Sequence, residues 1–93
     1  MADFKFIEAE QLDTLLVRTD GLKLVHFGSS LVTSCNFMRR SLSIISPEFQ
    51  NSLQMIEVEL QLNQVEVVQR YQVRSLPTIL VFAGDQEIGR AHV

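Results

Sequence analysis

The run "LKLVHFGSSLVTSCNF", residues 22–37, decides the fold, because its character changes halfway. Its first part, "LKLVHFG" (22–28), is apolar with little alternation, as expected of a strand covered on both faces. Its second part opens "TSCNFMRRSLSIISPEFQ" (33–50), where Met38, Leu42, Ile45 and Phe49 recur at helical spacing and mark one face of a helix. Thr33 or Ser34 is expected to cap that helix, and Pro47, which lacks an N–H, to kink or end it near Ser46. A strand therefore runs through "SSLV" directly into a helix. Cys35, the only cysteine of the chain, lies at this junction.

The same periodicities extend in both directions. "FKFI" (4–7) reads as a short strand, and "EAEQLDTLLVRT" (8–19) carries Leu12, Leu15, Leu16 and Val17 in a helical stripe ended by Asp20-Gly21. Beyond the second helix, "LQMIEVEL" (53–60) reads as a strand. "VEVVQRYQV" (65–73) reads as a short helix despite its valines. "SLPTILVFAG" (75–84) leads into a strand, Gly84-Asp85 is a hairpin turn, and "QEIGRAHV" (86–93) is the returning strand. The expected order is β-α-β-α-β-α-β-β. This is an α/β architecture with parallel crossovers first, a closing antiparallel hairpin, and helices on both faces of a mixed sheet.

With 93 residues, the chain is expected to form a single domain, residues 1–93. Its 46 % apolar and 20 % charged residues suit a folded globule rather than a disordered chain. A net charge of −3, with six Arg and two Lys that are dispersed apart from Arg39-Arg40, gives no reason to expect nucleic acid. One cysteine permits no intramolecular disulfide, and the acidic start "MADFKFIEAE" lacks a basic leader region. No stretch reaches the ~18 apolar residues of a membrane span. These absences make a cytoplasmic protein the expectation. His26, His92 and Cys35 have no metal-ligand spacing, so neither a metal nor a cofactor is expected.

Three stretches give the chain a family likeness. "LVHFGSSLVTSC" resembles the second strand and active-site loop of the thioredoxin family, where an apolar strand enters a Trp-Cys-Gly-Pro-Cys motif. "VQRYQVRSLPTILVF" resembles the segment that holds the family's cis-proline, and "GDQEIGRAHV" its last hairpin strand. On this resemblance Leu31 stands at the tryptophan, Val32 at the first cysteine, Thr33 and Ser34 at the Gly-Pro pair, and Cys35 at the second cysteine. Pro77 stands at the cis-proline and His26 at the family's buried aspartate. Arg40, not Pro47, takes the place of the helix proline.

The departures are chemical. In the family, the first cysteine is the nucleophile, its thiolate favoured by the helix N-terminus. The second cysteine attacks the mixed disulfide and releases product. Val32 cannot ionise, so this chain keeps the releasing thiol and lacks the attacking one. The resemblance thus implies a protein that has lost dithiol chemistry and acts as a peptide-binding, assembly or chaperone-like module. Leu31, Val32, Leu76, Pro77 and Thr78 would form its contact surface, with Phe37 beside them. The alternative is a monothiol redox protein in which Cys35 exchanges with a disulfide, with His26 as its base.

Against these stand plainer readings. Cys35 reads as an apolar core contact, His26 as a strand histidine bonded to a backbone carbonyl, and Arg39, Arg40 and Arg74 as solvated helix or loop surface. The family continues into a final helix, and this sequence stops at Val93 with that helix missing. Apolar residues of strands 53–60 and 78–83 are therefore expected to be partly bare, and to be covered by a protein partner, a second copy, or further chain beyond Val93.

Overall fold

The computed structural model describes residues 4–61 and 63–92. Among the described residues five strands form one sheet: β1 Phe4–Glu8, β2 Leu22–Gly28, β3 Gln54–Glu59, β4 Thr78–Ala83 and β5 Gln86–His92. Their spatial order is β1-β3-β2-β4-β5. β1 and β2 flank β3 in parallel, while β4 pairs antiparallel with β2 and β5 with β4. Three helices connect them: α1 Leu12–Arg18, entered through a 3-10 turn at Ala9–Gln11, α2 Thr33–Phe49 and α3 Val65–Tyr71. The α/β order read from the sequence is the order observed.

Alternation along the strands divides the core between two faces. Val25, Phe27, Ile56, Val58, Leu80 and Phe82 point to one face, where they pack with Leu12 and Leu16 of α1 and Tyr71 of α3. The Tyr71 ring stands 5.6 Å from that of Phe27 and 6.2 Å from that of Phe82, and burial holds its hydroxyl above the ordinary pKa of 10.0. The other face carries Met55, Glu57 and Glu59 of β3 and His26 of β2, and it is covered by α2.

Turn chemistry fixes the ends. Gly84 takes φ +62°, the left-handed geometry a two-residue hairpin loop needs between the paired Ala83 and Gln86. Gln72 caps α3 in the left-handed region. The Val73 amide then donates to the Val68 carbonyl at 3.0 Å, which satisfies a carbonyl the helix leaves open.

Four expectations need correction. Pro47 neither ends nor interrupts α2, which continues to Phe49. Proline removes the N–H that would serve the Ser43 carbonyl one turn back, and the Ser46 hydroxyl donates to that carbonyl instead, at 3.1 Å. Neither Thr33 nor Ser34 caps the helix. Val32 is the N-cap and has no side-chain acceptor to offer. The buried stripe of α2 is Cys35, Leu42 and Ser46, which turns Ile45 and Phe49 to the exposed side. The stripe is displaced because Arg39, partly buried on the same side of the helix, is drawn inward by two carboxylates of β3. Finally, Met55, Ile56, Val58 and Leu60 are all buried, so the strand at 53–60 is not bare. In β4, Ile79 and Val81 are partly open and Ala83 at its end is exposed, because α2 packs on β3 and β2.

Candidate functional site

The site lies where β2 gives way to α2. Between them, residues 29–32 are tied down at nearly every polar group. The Ser29 carbonyl accepts from the Val32 amide at 3.0 Å, and the Ser29 hydroxyl accepts from the Leu31 amide at 3.2 Å. The Ser30 carbonyl accepts from the Asn36 side-chain amide at 3.0 Å. A loop held at both ends presents its apex residue outward, and Leu31 is 89 % exposed. Val32 follows as N-cap, partly exposed, at the helix N-terminus where a cysteine thiolate would be favoured.

Cys35 is the third residue of α2 and is 0 % exposed. Its amide donates to the Val32 carbonyl at 3.1 Å, so it is held in the first turn and faces the sheet. His26 lies beneath it. The space a Cβ on Gly28 would occupy is 2.8 Å from His26 Cε1, 3.2 Å from His26 Nε2 and 3.2 Å from Cys35 Cβ. The imidazole and the cysteine close over one point on the backbone, and only glycine fits there. No hydrogen bond joins them: His26 Nε2 is buried without a partner.

The other ring nitrogen begins a chain of ionic contacts. His26 Nδ1 lies 2.6 Å from Glu57 Oε1, and these two residues are register partners on adjacent parallel strands. Arg39 Nη2 donates to Glu57 Oε2 at 2.9 Å, so the Glu57 carboxyl bridges the imidazole and the guanidinium through its two oxygens. Arg39 also donates to Glu59 Oε1 at 2.9 Å, and its guanidinium stands 5.9 Å from the centre of the Phe6 ring. Glu59 Oε2 accepts from the Ser30 amide at 2.9 Å and from its hydroxyl at 3.2 Å. An unbroken line of contacts thus runs from the imidazole under Cys35 to the loop that carries Leu31.

The electrostatics follow from these contacts. Burial works to lower the Arg39 pKa, but the bonds to Glu57 and Glu59 outweigh it and hold it above the ordinary arginine value. Burial works to raise Glu59, but the Ser30 and Arg39 hydrogen bonds outweigh that and hold it below 4.5. Glu57, on which the network turns, was missed by sequence reasoning. A carboxylate in the middle of the apolar run "MIEVEL", one strand away from a histidine in another, is the signal that marks it. His26 was expected to bond a backbone carbonyl and instead bonds this carboxylate. Arg39, expected to be solvated, lies within the network.

Opposite the loop, the Leu76–Pro77 peptide bond is cis. Leu76 is half-buried and, with Leu31 and Val32, lines a shallow groove completed by Ser29, Leu60, Gln61 and Asn63. Pro77 and Thr78 are buried behind it. The Thr78 hydroxyl donates to the Ser75 carbonyl at 2.6 Å and lies 3.1 Å from His92 Nδ1. The groove therefore unites Leu31, Val32 and Leu76 from the sequence reading, while Pro77 and Thr78 support it from beneath. Among the described residues, no cluster of His, Cys, Asp and Glu could hold a metal ion, and no helix is long and apolar enough to cross a membrane.

A mixed sheet in this strand order, with a helix springing from the end of its central strand and a cis X-Pro loop facing that junction, defines a thioredoxin-like domain. The Thioredoxin family model matches residues 3–92, and the chain belongs to that family. No curated protein matches the chain.

Proposed function

We propose that this protein works by binding an extended protein or peptide segment, not by dithiol–disulfide exchange. The observation that carries the reading is the burial of its single thiol: Cys35 is 0 % exposed, and the reactive position at the helix N-terminus is filled by Val32. Exchange needs a thiolate that can reach a disulfide sulfur. What the site offers the solvent instead is an apolar groove between Leu31, Val32 and Leu76, on a loop held rigid by its own hydrogen bonds. A fixed apolar groove suits an extended segment with an apolar side chain at its centre.

Two measurements test this together. The chain is expected to leave insulin disulfides intact in the presence of dithiothreitol beyond the uncatalysed rate. It is also expected to enrich displayed peptides with an apolar centre, and Leu31→Asp and Leu76→Asp are expected to lose that enrichment. Catalytic insulin reduction, or enrichment unchanged in both variants, overturns the reading.

One observation favours a second reading, a monothiol exchange protein. His26 Nε2 is buried, unpartnered and beside Cys35. In that reading the Cys35 thiolate attacks oxidised glutathione, forming a protein–glutathione disulfide and releasing one glutathione thiolate. Intact-mass analysis after incubation with oxidised glutathione decides it: a glutathione adduct on the folded chain supports exchange, and an unmodified mass supports binding.

A further inference from the structure

The solvent side of α2 is unusual for a surface helix. Opposite its buried stripe stand Phe37, 66 % exposed, and Ile44, 69 % exposed, two turns apart on one line. Arg40 and Glu48 are exposed on the same side, one turn before and one turn after Ile44. Neither takes part in a salt bridge among the described residues, whereas Arg39, Arg70 and Arg90 each do.

The pattern reads cation, apolar residue, anion at equal spacing. Such a line is complementary to itself when a second copy is laid against it in the opposite direction. A two-fold axis through Ile44 sets Ile44 on Ile44 of the second copy, Arg40 on the second copy's Glu48, and Glu48 on the second copy's Arg40. The two ion pairs of each dimer form from one sequence pattern, as an isologous contact requires. A parallel arrangement would instead set Arg40 on Arg40 and Glu48 on Glu48, and like charges exclude it.

We infer that α2 is a homodimerisation surface: two copies of this chain pair antiparallel about Ile44, with Arg40 and Glu48 setting register and direction and Phe37 lying just beyond the paired stretch. This inference stands on the outer face of α2, away from the groove at Leu31 and Leu76, and does not depend on the proposed function. With the axis at Ile44 the two helices overlap over residues 39–49, about 16 Å, so the pair buries less than the ~1,600 Å² of a standard interface. The dimer is therefore a weak one, and the charges contribute chiefly to its specificity.

Sedimentation velocity on the full chain, at concentrations from about 10 µM to 1 mM, is the test. The wild-type chain is expected to shift from monomer to dimer across that range. Arg40→Glu alone and Glu48→Arg alone are each expected to weaken self-association about tenfold, because each turns both ion pairs into repulsions. An equimolar mixture of the two variants is expected to regain dimer, since Arg40→Glu then faces Glu48→Arg and every contact is again of opposite sign. All these positions are exposed, so the variants keep the fold, and circular dichroism checks that they do. A wild-type chain that stays monomeric throughout overturns the inference. So does a mixture no more dimeric than its components. A dimer abolished by Val81→Asp but indifferent to the charge swaps places the contact on the open strip of β4 and overturns it as well.

Discussion

His26 and Glu57 face each other across the parallel strands β2 and β3, with Nδ1 and Oε1 2.6 Å apart and both side chains fully withdrawn from solvent. This pair is the foundation of the site. It sets the imidazole under the first turn of α2, and through Arg39 and Glu59 it joins the buried sheet to the loop at Ser30. Its weight is in the partners it would leave behind. Glu57→Gln removes the charge that Arg39 and His26 both address, and a buried ionic contact broken from one side costs far more than the intact contact contributes. We expect a loss of about 3 kcal/mol in urea denaturation, with Glu59→Gln costing clearly less because Glu59 is near the surface. Equal losses for the two variants would refute the central place given to Glu57.

The outer end of the same network gives a pH dependence. Glu59 has a folded-state pKa below its ordinary 4.5, because the hydrogen bonds from Ser30 and Arg39 outweigh the opposing effect of burial. The unfolded chain therefore takes up this proton more readily than the folded one. The contribution is fully present above pH 4.5 and is lost as pH falls through the folded value. Stability of the wild-type chain is expected to fall more steeply than that of Glu59→Gln between about pH 5 and pH 3. Parallel acid profiles for the two proteins would remove Glu59 from the account of how the loop is held.

Pro47 supplies a test of a different kind. Its helix survives because the Ser46 hydroxyl serves the carbonyl that proline leaves without a donor. Ser46 is itself buried, so Ser46→Ala leaves the Ser43 carbonyl without that donor and vacates the space of one oxygen. The expected cost is about 1–2 kcal/mol in chemical denaturation. Pro47→Ala should then rescue part of it by returning an N–H to Ser43. Rescue absent, or Ser46→Ala neutral, would mean the hydroxyl has no part in tolerating the proline.

How much of this was legible in the sequence divides along a physical line. Periodicity reports which side of an element is apolar, and so strands 22–28 and 54–59, the helix from Thr33, and the hairpin at Gly84 could be read directly. Pairing across strands is invisible to periodicity. Nothing in "LVHF" or "MIEVEL" taken singly says that His26 and Glu57 share one register position, and without that fact Arg39 reads as a surface residue. The same blindness displaced the α2 stripe: Met38, Leu42, Ile45 and Phe49 are more apolar than Cys35, Arg39 and Ser46, yet the ion pairs turn the second set inward. The groove residues Leu31, Val32 and Leu76 were found through the family resemblance, because two loops distant in sequence carry no shared pattern. Leu60 and Asn63 on its far wall had no such guide.

Val32 occupies the helix N-terminus, and a single substitution there tests the proposed function. It is the N-cap of a 17-residue helix, with the amides of Cys35 and Asn36 bonded to its carbonyl at 3.1 and 3.2 Å. A thiolate at this position would meet the open N–H groups of the first turn and the positive end of the helix dipole, both of which favour it over the thiol. Cys35 stands one turn further on, where the releasing thiol of the family belongs. Val32→Cys is therefore expected to label rapidly with iodoacetamide near neutral pH, while the wild-type chain labels only once unfolded. The variant is also expected to gain dithiothreitol-dependent reduction of insulin disulfides. Adding Cys35→Ser should abolish turnover and trap the variant as a mixed disulfide with its substrate, because the attacking thiol then lacks the one that releases it. A Val32→Cys variant that labels no faster than the wild type would show that this helix N-terminus does not activate a thiol. Val32 would then no longer carry the argument against exchange chemistry in the proposed function.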